Sequence, residues 1–350
     1  MARPLRIQYP GAWYHLTGRG NERRNIFRDD RDRLHFLELL EELVDRYRLR
    51  LYAYVLMDNH HHLLAQITEP NLSEAMQWLG ESYATWFNVR HGRAGHLFQG
   101  RFQSILVDGE VYGVEVSRYL HLNPVRLKRF GLDKAAQQRS RAGVVDRPPD
   151  AQQIAERLQR LRQYRWNSYR SYVGLASVPG WLDVSTMLQT MGGRGLEEQR
   201  RAYRQYVEHE VREGWPESPW EKVVGGVVLG GPAFVRNVRR WLQGEVKEQP
   251  GLAALRERPS FEEVVTVVER LKGESWQAFR DRYGDWGRDL VLALARRHCG
   301  LKLRELAERT GGMGYRGVAA AVKRLDQRAK HDRQLRQALA DLERWPGNRP

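Results

Sequence analysis

Three consecutive histidines, His60, His61 and His62, stand within the apolar segment Leu51–Ile67. The residues before them alternate with a period of two, which predicts a strand, a turn and a second strand. On a strand, neighbouring side chains point to opposite faces, so His60 and His62 project together while His61 turns away. A divalent cation can bind two adjacent imidazole nitrogens together with carboxylate or carbonyl oxygens. The alternative is a solvated edge pair or a hydrogen-bonded core pair.

A second candidate for chemistry lies in the segment SRYLHLNPVR, where Tyr119 and Asn123 are four residues apart. A helix would place both on one face, and Pro124 disfavours helical geometry at Asn123. A phenol is a weak nucleophile because its pKa is near 10, but a cation could polarise a phosphate under attack. The products would be a phosphotyrosine and a free 3′-hydroxyl, and rejoining would need no nucleotide cofactor. The alternative for Tyr119 is a core aromatic.

Charge is the most informative bulk property. The 350 residues carry 58 Lys and Arg against 43 Asp and Glu, a net charge of +15. Arginine pairs bidentately with phosphate, so a nucleic acid is the expected partner, although scattered basic charge is the alternative. No apolar run reaches the roughly 20 residues of a membrane span, and no signal-peptide core is visible. With a single cysteine, Cys299, these features predict a cytoplasmic protein.

The elements that carry these residues follow an order of strand, helix, two strands, helix, strand and helix. That order predicts an α+β domain with an antiparallel sheet and helices packed against it. Besides the histidine strands, the predicted elements are a strand at Ala12–Thr17, helices at Asp29–Tyr47 and Asn71–Phe87, a loop and strand within His96–Val107, and a helix at Gly109–Val125.

Several blocks in this order resemble the REP-associated tyrosine transposases, which are single-tyrosine transposases of the HUH class. The blocks are YVLMDNHHHLL, GHLFQGRFQSILVD, YLHLNPVRL and YRWNSYRSYVG. The resemblance implies a ferredoxin-like or RRM-like sheet that binds Mg²⁺ or Mn²⁺ and cuts and rejoins single-stranded DNA at hairpins. It implies that His60 and His62 are metal ligands, Tyr119 is the nucleophile and Asn123 is a third ligand.

Two positions depart from the family pattern. His61 replaces a bulky apolar residue, and Asp58 replaces a proline that is common just before the motif. A histidine at the middle position must reach solvent or find a buried partner. It also permits a different register, in which Asn59 and His61 face the site instead.

The rest of the chain predicts three further regions. Residues 131–174 contain a polar insertion and the closing tail of the first domain, which we expect to span residues 1–130. Residues 175–259 form a helical connecting segment of unassigned function, with a loop or short strand at Val223–Leu229. Residues 260–350 form an all-α domain.

Within this last domain, Leu303–Thr310 and Tyr315–Ala329 flank a glycine-rich turn, which predicts a helix-turn-helix. The arrangement resembles the C-terminal DNA-binding domain of the bacterial replication initiator. From Trp286 to Pro350 there are 15 Lys and Arg against 7 Asp and Glu, a net charge of +8. The alternative is a helical hairpin that serves packing alone. The candidate phosphate contacts on the second helix are Arg316, Lys323, Arg324 and Arg328.

The sequence therefore predicts a two-part DNA enzyme. The first part would nick and religate hairpin single strands through Tyr119, with Arg101 contacting phosphate, and the second would hold duplex or stem DNA. Phe98 and Phe102 are expected in the core. A non-catalytic DNA-binding regulator derived from a transposase and an RNA nuclease are the alternatives. Whether one chain or a homodimer forms the active unit stays open.

Overall fold

The computed structural model describes residues 7–133, 135–136, 139, 149–214, 218–241, 259–299, 301–310 and 313–331. These residues form two compact units, divided between residues 241 and 259. Most of the predicted insertion at Leu132–Asp150, and the chain after His331, lie outside the described residues. The finer boundaries predicted at residues 130 and 174 stay predictions. Within the part described, no helix is both long and apolar enough to cross a bilayer.

A six-stranded sheet forms the centre of the first unit. Its strand order is β2-β3-β1-β4-β6-β5. Neighbouring strands among the first four are antiparallel, and the order of these four is that of a ferredoxin-like sheet, as predicted. The strands are β1 Trp13–Arg19, β2 Arg50–Met57, β3 His60–Gln66, β4 Gln103–Val107, β5 Val223–Val224 and β6 Val228–Leu229.

The last two strands extend the sheet beyond what the sequence predicted. Strand β6 pairs with β4 in parallel, so the whole sheet is mixed rather than antiparallel. A parallel pair needs a long crossover connection, and here more than a hundred residues separate the two strands in the chain. No local pattern can reveal such a pairing.

Helices cover both faces of the sheet. Helices α1 (Asp30–Tyr47) and α2 (Leu72–Arg90) pack against one face, where Phe36 meets the ring of His61. Asp29 caps α1 by accepting a hydrogen bond from the Asp32 amide. Helix α3 (Gly109–Leu122) packs against strands β2 and β3. It ends at Leu122, three residues before the predicted end at Val125. A 3₁₀ turn follows at Asn123–Val125, in which Asn123 keeps helical dihedral angles (φ −52°, ψ −40°) despite Pro124.

The segment Tyr164–Gly174 closes the open edge of the sheet at β2. The Leu56 amide donates to the Trp166 carbonyl at 2.8 Å, and the Tyr172 hydroxyl donates to the Tyr52 carbonyl at 2.7 Å. Buried His121, near the end of α3, is bonded to the Ser168 hydroxyl at 2.8 Å. The other helices of this unit that the structure describes over their whole length are α4 Ala151–Gln163, α5 Tyr169–Tyr172, α6 Ser185–Gln189, α7 Leu196–Glu213 and α8 Pro232–Trp241.

The second unit, in its described part, is entirely helical, as predicted. Ser260 begins its first helix with a reciprocal capping box to Glu263. Its helices surround an apolar cluster that includes Val268, Phe279 and Leu290. The helices are α9 Phe261–Lys272, α10 Trp276–Phe279, α11 Trp286–Leu294, α12 Leu303–Arg309 and α13 Tyr315–His331, with a π-helical turn at Ala295–Cys299.

The predicted helix-turn-helix corresponds to α12 and α13, which pack on each other. Gly311 and Gly312 of its turn lie outside the described residues. The assignment to a DNA-binding motif therefore stays a prediction.

Candidate active site

The alternation of β3 places its three histidines on opposite faces of the sheet. His60 and His62 face α3, and the ring centres of His62 and Tyr119 are 6.3 Å apart. His61 is buried on the other face, 4.9 Å from Phe36 between ring centres. The alternative register, with Asn59 and His61 facing the site, is therefore wrong.

Gly18 on β1 makes room for the unusual His61. A side chain at Gly18 would collide with the His61 ring, because the two residues are paired across β1 and β3. Neither ring nitrogen of His61 has a hydrogen-bond partner among the described residues. His61 thus fills an apolar position, and burial lowers its pKa to about 3.

Each site histidine has one ring nitrogen engaged and the other available. His60 Nδ1 lies 2.6 Å from Asn59 Oδ1, and His62 Nδ1 lies 2.9 Å from His15 Nε2. Nε2 is therefore the nitrogen that each ring can offer to a cation. Burial is the main cause that lowers the pKa of His60 to about 4, and it also holds the pKa of His62 well below 6.5. Both rings are neutral near pH 7, which is the form that binds metals.

Tyr119 enters the same face from α3 and is partly exposed. The guanidinium carbon of Arg126 lies 4.5 Å from the centre of its ring. A phosphate placed against the phenol would thus also lie near a cationic side chain. One chain supplies both the phenol and the two imidazoles.

Asn123 secures the end of the helix that carries Tyr119. Its side-chain amide donates to the carbonyls of Tyr119 at 2.9 Å and Leu120 at 3.3 Å. These bonds satisfy carbonyls that a helix end otherwise leaves unpaired. Both bonds use the amide nitrogen, so the predicted role of Asn123 as a third ligand would fall to its side-chain oxygen.

The candidate metal site offers few protein ligands. Among the described residues, no three His, Cys, Asp or Glu side chains form a group that could hold a metal ion. Two imidazoles and one amide oxygen leave most positions around a cation to water and phosphate oxygens. Mg²⁺ keeps several waters and takes few protein ligands, and Mn²⁺ accepts imidazole as well as oxygen. The residues present therefore fit either ion.

Two aromatic neighbours of the site were not predicted. Trp220, from the 3₁₀ turn Pro219–Lys222, stacks on His15 at 4.2 Å and meets the Tyr119 ring edge-on at 4.9 Å. Trp220 belongs to the segment expected to be a connector, and it lies a hundred residues after Tyr119. His15 carried a weak signal, since it alternates within the predicted first strand, but the pairing of β1 with β3 is not local information.

The predicted phosphate contacts have different surroundings. Arg101 is exposed in the loop before β4, and Arg316, Lys323 and Arg328 are exposed on α13. Arg324 instead makes two hydrogen bonds of 3.1 Å to the carboxylate of buried Asp289. A phosphate would have to compete with that carboxylate for Arg324.

Comparison with known proteins agrees with the resemblance seen in the sequence. Residues 8–123 match the family described as "Transposase IS200 like". A solved structure titled "Structure of the REP associates tyrosine transposase bound to a REP hairpin" is similar over 53% of this chain and 94% of its own, with 14% identity and a TM-score of 0.35. None of the curated proteins compared with the chain matches it. The match of residues 8–123 supports the resemblance of the first domain to IS200-like transposases, whereas the resemblance of the helix-turn-helix remains untested.

Proposed function

Because residues 8–123 match the IS200-like transposase family, we propose that this protein nicks and rejoins single-stranded DNA through Tyr119. The observation that carries the proposal is the 6.3 Å approach of the Tyr119 and His62 rings on one face of the sheet. The substrate class is hairpin or REP-like palindromic DNA in the cytoplasm, and no nucleotide cofactor is required.

The reaction is a transesterification. The Tyr119 oxygen forms a bond to phosphorus while the bond from phosphorus to the 3′-oxygen breaks. The phenol loses its proton, and the departing 3′-oxygen gains one, which leaves a 5′-phosphotyrosine and a free 3′-hydroxyl. Rejoining reverses these changes without an external energy source, because a phosphodiester is exchanged for another phosphodiester.

The chain's own residues prepare this step. His60 and His62, with Asn123, would hold Mg²⁺ or Mn²⁺. That cation, when bound, supplies electrophilic polarisation of the phosphate. Arg126 adds positive charge beside the phenol ring, and its guanidinium stabilises negative charge that develops on the phosphoryl oxygens.

The second unit would hold duplex or stem DNA through phosphate contacts. Its support is the exposure of Arg316, Lys323 and Arg328 along one helix, together with the net positive charge of this region. Arg101 is the corresponding candidate beside the sheet of the first unit.

Covalent trapping tests the proposal. The full-length protein is incubated with Mn²⁺ and hairpin DNA labelled at the 3′ or the 5′ end, and products are separated under denaturing conditions. We expect the 3′ label to migrate with the protein and the 5′ label to appear as a shorter free strand. Tyr119→Phe should abolish both products, whereas Tyr112→Phe, seven residues earlier on the same helix, should retain them.

Two results would refute the proposal. DNA binding that needs no metal and gives no adduct would identify a regulator derived from a transposase. Release of fragments from a labelled hairpin RNA, without a protein link and with no DNA adduct, would identify an RNA nuclease.

A further inference from the structure

His15 is a polar residue buried in the sheet of the first unit, where one of its ring nitrogens is unsatisfied within the described part of the chain. It lies in the middle of β1, only 4% exposed, and its strand partners are Leu64 and Ile105. Its Nε2 bonds to His62 Nδ1, and its Nδ1 has no hydrogen-bond partner among the described residues. An apolar side chain here would remove the unsatisfied Nδ1 of His15, but it would leave His62 Nδ1 without its hydrogen-bond partner. The imidazole of His15 is therefore explained by the bond that it makes to His62.

The bond between the two rings controls which nitrogen of His62 is available. Since Nδ1 faces His15, only Nε2 can face a cation. A ligating nitrogen carries no proton, so the proton of neutral His62 must reside on Nδ1. His15 Nε2 must then accept that proton's hydrogen bond. In the reverse arrangement His15 donates, the proton of His62 moves to Nε2, and the cation is excluded.

The partner of the other site histidine is of a different kind. His60 Nδ1 is bonded to Asn59 Oδ1, an oxygen that can only accept. Its tautomer is therefore set by its neighbour, whereas that of His62 depends on His15. The His15 and His62 rings are inclined by only 12°, and Trp220 stacks on His15 at 4.2 Å between ring centres. The stacking therefore keeps the His15 ring nearly parallel to the His62 ring.

We propose that His15 is a positioning residue for the cation site, which accepts the hydrogen bond from His62 Nδ1 and so presents the lone pair of His62 Nε2. This inference rests on the proposed function, because it concerns the same cation. Partners of this kind orient metal-bound histidines in many proteins and tune their affinity.

Mn²⁺ titration of the metal-free, full-length protein, followed by the paramagnetic resonance signal of the free ion, tests the inference without any reaction. We expect His15→Leu to weaken Mn²⁺ binding by roughly 10- to 100-fold. His15→Gln should remain within about 3-fold of wild type, because its amide oxygen reaches the same region and accepts a hydrogen bond. Wild-type affinity in His15→Leu would overturn the inference.

His62→Ala separates this inference from the function it rests on. Loss of binding in His62→Ala with unchanged binding in His15→Leu would remove only the role of His15. Unchanged binding in His62→Ala would remove the cation site itself, and the inference with it.

Nitrogen NMR of histidine-labelled wild-type protein needs no variant to fold. In saturating Mg²⁺ we expect His62 to carry its proton on Nδ1 and His15 to carry its proton on Nδ1. A proton on His62 Nε2 under these conditions would also overturn the inference.

Discussion

The two units of this protein use polar side chains in opposite ways. The first buries four histidines, His15, His61, His62 and His121, within or beside its sheet. The second buries an apolar cluster and leaves most of the cations of α13 in solvent. Catalysis requires imidazole rings that are fixed in one orientation and one protonation state. Phosphate binding requires exposed Lys and Arg side chains that can reach the phosphate. The proposed reactive site is therefore built differently from the proposed DNA-holding surface.

The largest expected difference between the units is their response to acid. Burial is the first cause that lowers the pKa of His15, His61 and His121, each to about 3. Because these folded values lie below the unfolded value of about 6.5, the unfolded chain binds more protons. The stability that these neutral histidines allow the first unit is fully present above pH 6.5, and it is lost as the pH falls towards 3.

At pH 5.5 each of these histidines should lower the free energy of unfolding of the first unit by about 1.4 kcal/mol, and the three together by roughly 4 kcal/mol. Pulsed hydrogen exchange across a urea series, at pH 7.5 and at pH 5.5 without metal, measures the unfolding of each unit separately. Peptides from β3 report on the first unit, and peptides from α11 report on the second. We expect the first unit to lose stability and the second to change little. Equal losses in both units would show that the buried histidines do not set this difference.

The next effect is expected in the second unit, at the pair formed by Arg324 and Asp289. Arg324→Ala would remove the bidentate partner of Asp289, whose side chain is 4% exposed, and leave Arg288 at 3.7 Å. The loss of these charged hydrogen bonds should destabilise the unit by about 2 kcal/mol, as read from the same α11 peptides. The control, Lys323→Ala, alters an exposed neighbour and should change stability by less than about 0.5 kcal/mol.

A different result for Arg324 would restore its predicted role. If Arg324→Ala weakens DNA binding and leaves the α11 peptides unchanged, this arginine acts as a phosphate contact rather than as a partner of Asp289.

The smallest effect concerns the exposed cations of α13. The double variant Lys323→Ala with Arg328→Ala should reduce the slope of log affinity against log salt by about 2, because two fewer phosphates are neutralised. Filter binding of hairpin DNA across a salt series measures the slope, and the adduct formed by Tyr119 should persist. Arg31→Ala, an exposed arginine on α1, is the matched control. An unchanged slope in the double variant would show that α13 does not bind DNA.

Local geometry could be predicted from the residues alone. Alternation assigned His60 and His62 to one face of a strand, and a spacing of four placed Tyr119 and Asn123 on one side of a helical segment. Both follow from backbone periodicity, which acts within a few residues. The end of that helix was predicted three residues too late, at Val125 rather than Leu122.

The distant residues that complete the site were fixed only by folding. His15 meets His62 through the pairing of β1 with β3, and Trp220 reaches both His15 and Tyr119 through a strand pairing that spans a hundred residues. Arg324 looks in the sequence like its exposed neighbours, yet folding places it on Asp289. Such contacts arise when apolar faces pack and strands pair across long loops, and neither event is encoded in a local pattern.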